Sequence, residues 1–513
     1  MEKSLSKFLS LVLILTFVLS VASCGMAGDS LDSFAPNYSG AMQDQMEGDF
    51  GGEDYTEIIE NSFVNTLEMP DSYFSIDVNT ASYPNIRRYI EQGYISFDKN
   101  SVRVEEMLNY FDYDYKTPTD DAILALTSSV FDTPYNENTK LMTIGLAAQE
   151  IKFEQIQNNI VFLIDVSGSM KSADKLPLVQ QAFSLLAENL NDNDRISIVT
   201  YAGADRVVLE GAYGYEKDKI LTAINNLSAG GSTAGSIGIN RAYDIAKKYF
   251  VEGGNNRVIL ATDGDFNVGV TGVGGLEGLI AQKAKTGIYF SVFGFGTGNL
   301  QAAKMETLAL KGNGTWGYID SLKEARRMLV EQIGGTLVTV AKDVKAGVTF
   351  NPEYVESYRL IGYENKKLTQ DEFEDSNTDA GEIGSGHKVT VVYEIVLTDK
   401  AIIAGENFAD VKVKYKPTEN VGGDAETEQE LVLSIGVDRY HQNATRNDKF
   451  VASVIEFALI LRDSQYKGNA NIEELIARMD TLDFANDEDK AEFREIVKKY
   501  NDLLKQYNGQ YQQ

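Results

Sequence analysis

The chain has 513 residues, 76 acidic against 47 basic, giving a formal charge of −29, with two histidines and one cysteine. That balance disfavours nucleic acid and anionic lipid surfaces as partners, because both repel an acidic protein. The lone cysteine, Cys24, excludes an intramolecular disulfide, and His387 and His441 leave little inventory for nucleophilic or acid–base catalysis.

Lys3 and Lys7 precede an apolar run over residues 9–18 that is too short to span a bilayer comfortably. The run ends at Val21-Ala22-Ser23-Cys24, and the whole resembles a bacterial lipoprotein signal, residues 1–23, with cleavage before Cys24. The resemblance implies that Cys24 carries lipid as the first mature residue and anchors the protein at the extracytoplasmic face of a bacterial envelope membrane. More than one acyl chain on a cysteine makes such anchoring stable. From Cys24 to Glu60 there are nine acidic residues and no Lys or Arg. Residues 24–60 are therefore expected to form a flexible tether.

Residues 61–156 form a flanking region. A strand is expected up to Asp77 and a helix from about Tyr83, capped by Ser82 with Pro84 at an early position. A second short helix is expected over 102–111, and strands over 123–131 and 140–148. Asp77, Asn79 and Thr80 are read as a side-chain turn and not as a cation loop.

Residues 157–337 carry the most informative pattern. The apolar, β-branched run 159–164 suits a strand buried on both faces and ends at Asp165. The run 257–262 has the same character and ends at Asp263, so both carboxylates should emerge on one rim of a parallel sheet, where α/β proteins bind ligands. Helical patterns over 175–190, 217–227, 236–250, 276–285, 300–310 and 321–333 alternate with strands at 195–201, 206–210, 288–293 and 316–319. The result is an α/β, doubly wound fold with a six-stranded core.

Asp165-Val166-Ser167-Gly168-Ser169, Thr233 in Gly230-Gly231-Ser232-Thr233, and Asp263 in Thr262-Asp263-Gly264 supply carboxylates and hydroxyls, the hard donors Mg²⁺ prefers. In this order the three pieces resemble the metal-ion-dependent adhesion site of von Willebrand factor A domains. The resemblance implies that Ser167, Ser169 and Thr233 bind Mg²⁺ or Mn²⁺ directly and that Asp165 and Asp263 act directly or through water. A coordination position would be left for an Asp or Glu of a protein ligand. In A domains the last helix, here 321–333, shifts along its axis as the metal rim rearranges.

The resemblance to bacterial A-domain lipoproteins continues through 73–89, Ala341-Lys342-Asp343-Val344, 358–365 and 379–387. In residues 338–440, strands at 344–350, 357–362, 388–397, 408–415 and 428–437 imply a β-sandwich. Those at 123–131 and 140–148 are expected to pair with them, making the A domain an insertion into a split sandwich. Residues 441–513 are helical over 448–463 and 472–507 and should pack as a closing module.

Enzymatic readings find no support. Ser172-x-x-Lys175 sits at a helix start and is read as capping, His387 as structural, Trp316 as core, and 294–298 lacks the ending of a phosphate loop. The expected function is cation-dependent protein binding or adhesion, with no nucleic acid. The alternatives are an envelope scaffold, or a regulatory subunit of a separate metal-dependent enzyme or transporter, as the A-domain subunits of chelatases are.

Overall fold

The computed structural model describes residues 52–510 except 77, 120–121, 153–155, 203–204, 232–234, 265–271, 401–405 and 422–426. The signal, Cys24, most of the tether, Asp77 and Thr233 lie outside the described residues. In chain order, the flanking region contributes strands β1 (Val64–Asn65), β2 (Asp71–Ser75), β3 (Leu124–Asp132) and β4 (Lys140–Ala148). The central segment contributes β5 (Asn158–Asp165), β6 (Arg195–Tyr201), β7 (Asp205–Tyr213), β8 (Asn255–Thr262), β9 (Tyr289–Phe295) and β10 (Trp316–Ile319). Then come β11 (Thr339–Phe350), β12 (Val355–Ile361), β13 (Lys367–Leu368), β14 (Gly381–Gly384), β15 (Lys388–Leu397), β16 (Asn407–Pro417), β17 (Gln429–Gly436) and β18 (Tyr440–His441).

The central sheet has the order β10-β9-β8-β5-β6-β7, parallel except for the β6–β7 pair. Every residue of β5 is buried. Ile160, Phe162 and Ile164 enter one apolar core, and Val161 and Leu163 enter another on the opposite face. An unbroken apolar strand is therefore required here, because helices cover both sides. Strands β8 and β9 follow the same logic, and Trp316 is 3% exposed within the second core.

The remaining strands form two further six-stranded sheets, β1-β12-β15-β4-β3-β18 and β13-β2-β11-β16-β17 with β14 on β11. Strand β4 from before the central segment pairs with β15 from after it, and β2 pairs with β11. The inner faces of the two sheets share one core, in which Phe350 stacks on Tyr358 at 4.2 Å. Flanking residues on either side of the central segment therefore complete the same sandwich.

Several elements depart from the sequence expectation. Ser82 lies inside the helix Ser82–Glu91, not at its cap; its hydroxyl donates to Ser101 O at 2.7 Å. The C-terminal stretch is two helices, Ile472–Asp480 and Glu488–Gln510, not one. The break is favoured by Asp483 and Asp487, whose carboxylates accept the Ala485 and Lys490 amides instead of leaving them to a continuous helix. The tether ends before Glu60, since the Glu53 side chain is 1% exposed in an ion pair. The expected helix at 321–333 is instead Leu322–Arg326, a π turn over Arg327–Glu331, and Ile333–Leu337. The wide turn is closed by Gln332 N–H on Arg327 O at 2.8 Å.

This broken helix is held by buried charge. Arg87 reaches Asp320 at 2.6 Å, Glu324 at 3.1 Å and Glu492 of the C-terminal helix at 2.7 Å. Arg327 also pairs with Glu324 at 2.7 Å, and the Tyr110 hydroxyl donates to it at 2.9 Å. Burial alone would raise the Glu324 carboxyl, but Arg327 and Arg87 outweigh it and hold the group below its usual range. Tyr83, Phe111, Phe450 and Phe493 form an aromatic cluster in the same helical core.

His387, in the turn before β15, donates its backbone N–H to Gly384 O, while its ring Nδ1 is enclosed without a hydrogen-bond partner. Burial, and then the positive Arg327, lower its pKa from 6.5 to about 4. An unfolded chain takes up this proton first, so stability is intact above pH 6.5 and is lost as pH falls from there towards 4. Across that window the wild type should lose up to about 3 kcal/mol more stability than a His387→Asn variant, measured by urea unfolding. Equal losses in the two proteins would contradict a neutral, enclosed imidazole.

Candidate metal centre

Asp165 is the last residue of β5 and Asp263 the first after β8. The strands are parallel neighbours in register from Asn158↔Asn255 to Ile164↔Ala261, so the two carboxylates emerge side by side. Both are buried, at 0% and 1% exposure. Asp165 accepts the Ser167 amide at 2.8 Å and the hydroxyls of Tyr201 and Thr262 at 3.2 Å each. Burial raises its pKa to about 6, and the charge of Asp263 adds to that effect against the hydrogen bonds.

The loop after β5 turns immediately into a short helical turn, Gly168–Lys171. This places Ser167 Oγ and Ser169 Oγ 2.9 Å apart on the same rim. Gly230 and Gly231 are held against the same loop by their backbone: Gly230 N–H donates to Val166 O at 2.7 Å, and Gly168 N–H donates to Gly231 O at 3.2 Å. Gly231 has φ +101°, which favours glycine at this turn. Thr233 itself is outside the described residues, so four of the five expected ligands are assembled here.

Lys175 was missed as a site residue. The Ser172-x-x-Lys175 pattern does not cap the helix Leu176–Glu188, whose cap position is Lys175 with no side-chain cap bond. Its ammonium instead donates to Asp263 Oδ2 at 2.8 Å, with both side chains buried. Tyr201 and Thr262, also missed, orient Asp165 from β6 and β8. Their signal is positional, since each stands at the carboxyl end of a central strand.

The donor chemistry fits a small hard divalent cation. Asp165, Ser167 and Ser169 would hold it, with Asp263 beside them on the same rim. Bound there, the ion would supply a Lewis-acidic point for an anionic ligand. Among the described residues no group of three His, Cys, Asp or Glu side chains is placed to hold a metal.

Lys175 neutralises one carboxylate of the rim, which sets an expectation. Lys175→Met should destabilise the metal-free protein by about 3 kcal/mol, because the buried Asp263 loses its cationic partner. The same change should strengthen Mg²⁺ binding, so that added Mg²⁺ raises the melting temperature of the variant more than that of the wild type. A variant equally stable with and without Mg²⁺ would contradict this arrangement.

Residues 159–330 match the profile of the von Willebrand factor type A domain. Residues 49–143 match a second von Willebrand factor profile, and residues 335–503 match one described as "Uncharacterized protein YfbK, C-terminal". The chain is 37% identical over 445 residues to "Uncharacterized protein YfbK" of Escherichia coli K12, covering 82% of this chain and 76% of that one. A weaker match, 26% over 206 residues, covers 40% of this chain and 48% of the protein sll0103 of Synechocystis. Among solved structures, the chain is similar to a von Willebrand factor type A protein from Catenulispora acidiphila. That match has 18% identity, 68% and 80% coverage of the two chains, and a TM-score of 0.39. The chain therefore belongs to the bacterial YfbK family, in which a von Willebrand factor type A domain lies between family-specific flanking regions.

Proposed function

We propose that this chain is a lipid-anchored envelope protein that binds a partner protein through a divalent cation on the rim of its A domain. An A-type domain implies protein interaction or adhesion, commonly with a metal. The observation that carries the finer reading is the assembly of Asp165, Ser167, Ser169 and Asp263 at one sheet edge. Mg²⁺ or Mn²⁺ held there, with Thr233, attracts an Asp or Glu of the partner. A surrounding surface patch then supplies specificity, because one ionic contact seldom does. Cys24 carries the lipid. Among the described residues no helix is long and apolar enough to cross a membrane.

The Lys175–Asp263 ion pair favours a second reading, because it lets the rim fold without a cation. On that reading the chain is an envelope scaffold whose A domain organises its neighbours independently of metal.

Capture from envelope extract separates the two. The full chain in mild detergent is compared with Asp263→Ala, in Mn²⁺ and in chelator. A partner retained only by the wild type with Mn²⁺ supports recognition at the metal rim. Equal retention in all four conditions favours the scaffold. Cys24→Ser is expected to move the chain out of the membrane fraction, and fully processed, lipid-labelled protein persisting in that variant would contradict the anchor.

A further inference from the structure

The segment that follows the tether is docked onto the metal rim. Asp54 N–H donates to Leu300 O at 2.8 Å, and Gln301 Nε2 donates to Gly52 O at 2.9 Å. Gly52 is in such close contact that an added Cβ would stand 1.9 Å from Gly298 O. Glu53 Oε1 accepts the Gly298 amide at 3.1 Å. The same carboxylate takes both ends of the Arg88 guanidinium, at 2.9 and 3.0 Å, and the hydroxyls of Tyr55 and Tyr89. Arg88 in turn lies 5.3 Å from the ring of Tyr318, whose hydroxyl donates to Gly296 O at 2.9 Å.

The opposite side of this loop touches the site. Gly264, the neighbour of Asp263, has φ +104°, and a Cβ there would meet Asn299 O at 2.1 Å and Gln301 N at 2.7 Å. Gly296, with φ +77°, is packed on the stem of Lys175, where a Cβ would lie 2.3 Å from Cγ. Lys175 is the residue that pairs with Asp263. A loop of glycines has little rigidity of its own, and its conformation is supplied by what grips it.

We propose that Glu53 is a positioning residue of the metal centre: by fixing residues 296–301 it holds Asp263 and Lys175 in place. Residues 52–54 thereby become part of the adhesion site, so that displacing this segment loosens the rim. This rests on the cation-binding reading above.

The test compares the full chain in detergent with Glu53→Ala, Gly52→Val and Asp165→Ala. Mn²⁺ affinity is measured by calorimetry, and amide hydrogen exchange is followed without metal. Gly52→Val forces the segment off Gly298 while leaving the Glu53–Arg88 pair intact, which covers the case in which Glu53→Ala fails to fold. Glu53→Ala and Gly52→Val are each expected to weaken Mn²⁺ binding about tenfold and to speed exchange at 296–301 and at Gly264. Exchange elsewhere in the central sheet should be unchanged, which a general loss of stability would not allow. Wild-type affinity and wild-type exchange in both variants would overturn the proposal. Absence of Mn²⁺ binding in the wild type would defeat the metal reading alone, and the exchange data would still decide whether Glu53 holds the loop.

Discussion

The buried ion network around Arg87 is the constraint on which the arrangement of this molecule depends. It joins the helix Ser82–Glu91, the last helix of the A domain and the C-terminal helix through one guanidinium. Taking that many charges out of water is costly, and the pairs repay it only in one geometry. Their value is therefore in specifying position: removing Arg87 would take away the cation paired with Asp320 and leave Glu324 to Arg327 alone. The flanking modules thus grip the A domain at its last helix. An axial displacement here has to break ion pairs at 2.6 to 3.1 Å, or else move the N- and C-terminal helices with it.

The rim itself is built by the opposite economy. Parallel strands deliver Asp165 and Asp263 to adjacent positions, and neutral hydroxyls fill the space around them. Lys175 balances one carboxylate, while Asp165 keeps its hydrogen bonds to Tyr201 and Thr262. The glycines that converge there at Gly264 and Gly296 allow backbone to approach within distances that a side chain would forbid. Such a site is closely packed below and shaped by its supports above.

Much of this was legible in the chain. The runs ending at Asp165 and Asp263 are unbroken and β-branched because their strands are buried on both faces, and that pattern placed the two carboxylates on one edge. Strands β6, β10 and β4 have the limits their residue patterns imply. What escaped depends on distant partners. Glu53 sits in an acidic stretch whose composition suggests a tether, and partners distant in sequence, Arg88, Tyr89 and the Gly298 amide, enclose it. Lys175 stands in a spacing that helix caps share. The π turn after Arg326 accompanies pairing of Arg327 with Glu324 and Gln332, which helical periodicity does not register. The split at residues 481–487 comes from carboxylates that compete for backbone amides, a local effect hidden by the apolar spacing on either side.

The central claim is that a divalent cation occupies the rim between the loop after β5 and the end of β8. Anomalous diffraction from crystals of the chain grown with Mn²⁺ tests it most directly. The account predicts one strong anomalous peak within coordination distance of Ser167 Oγ and Ser169 Oγ, beside Asp165, which disappears in Asp165→Ala crystals. An empty rim at saturating Mn²⁺, or a peak confined to another part of the molecule, would contradict it.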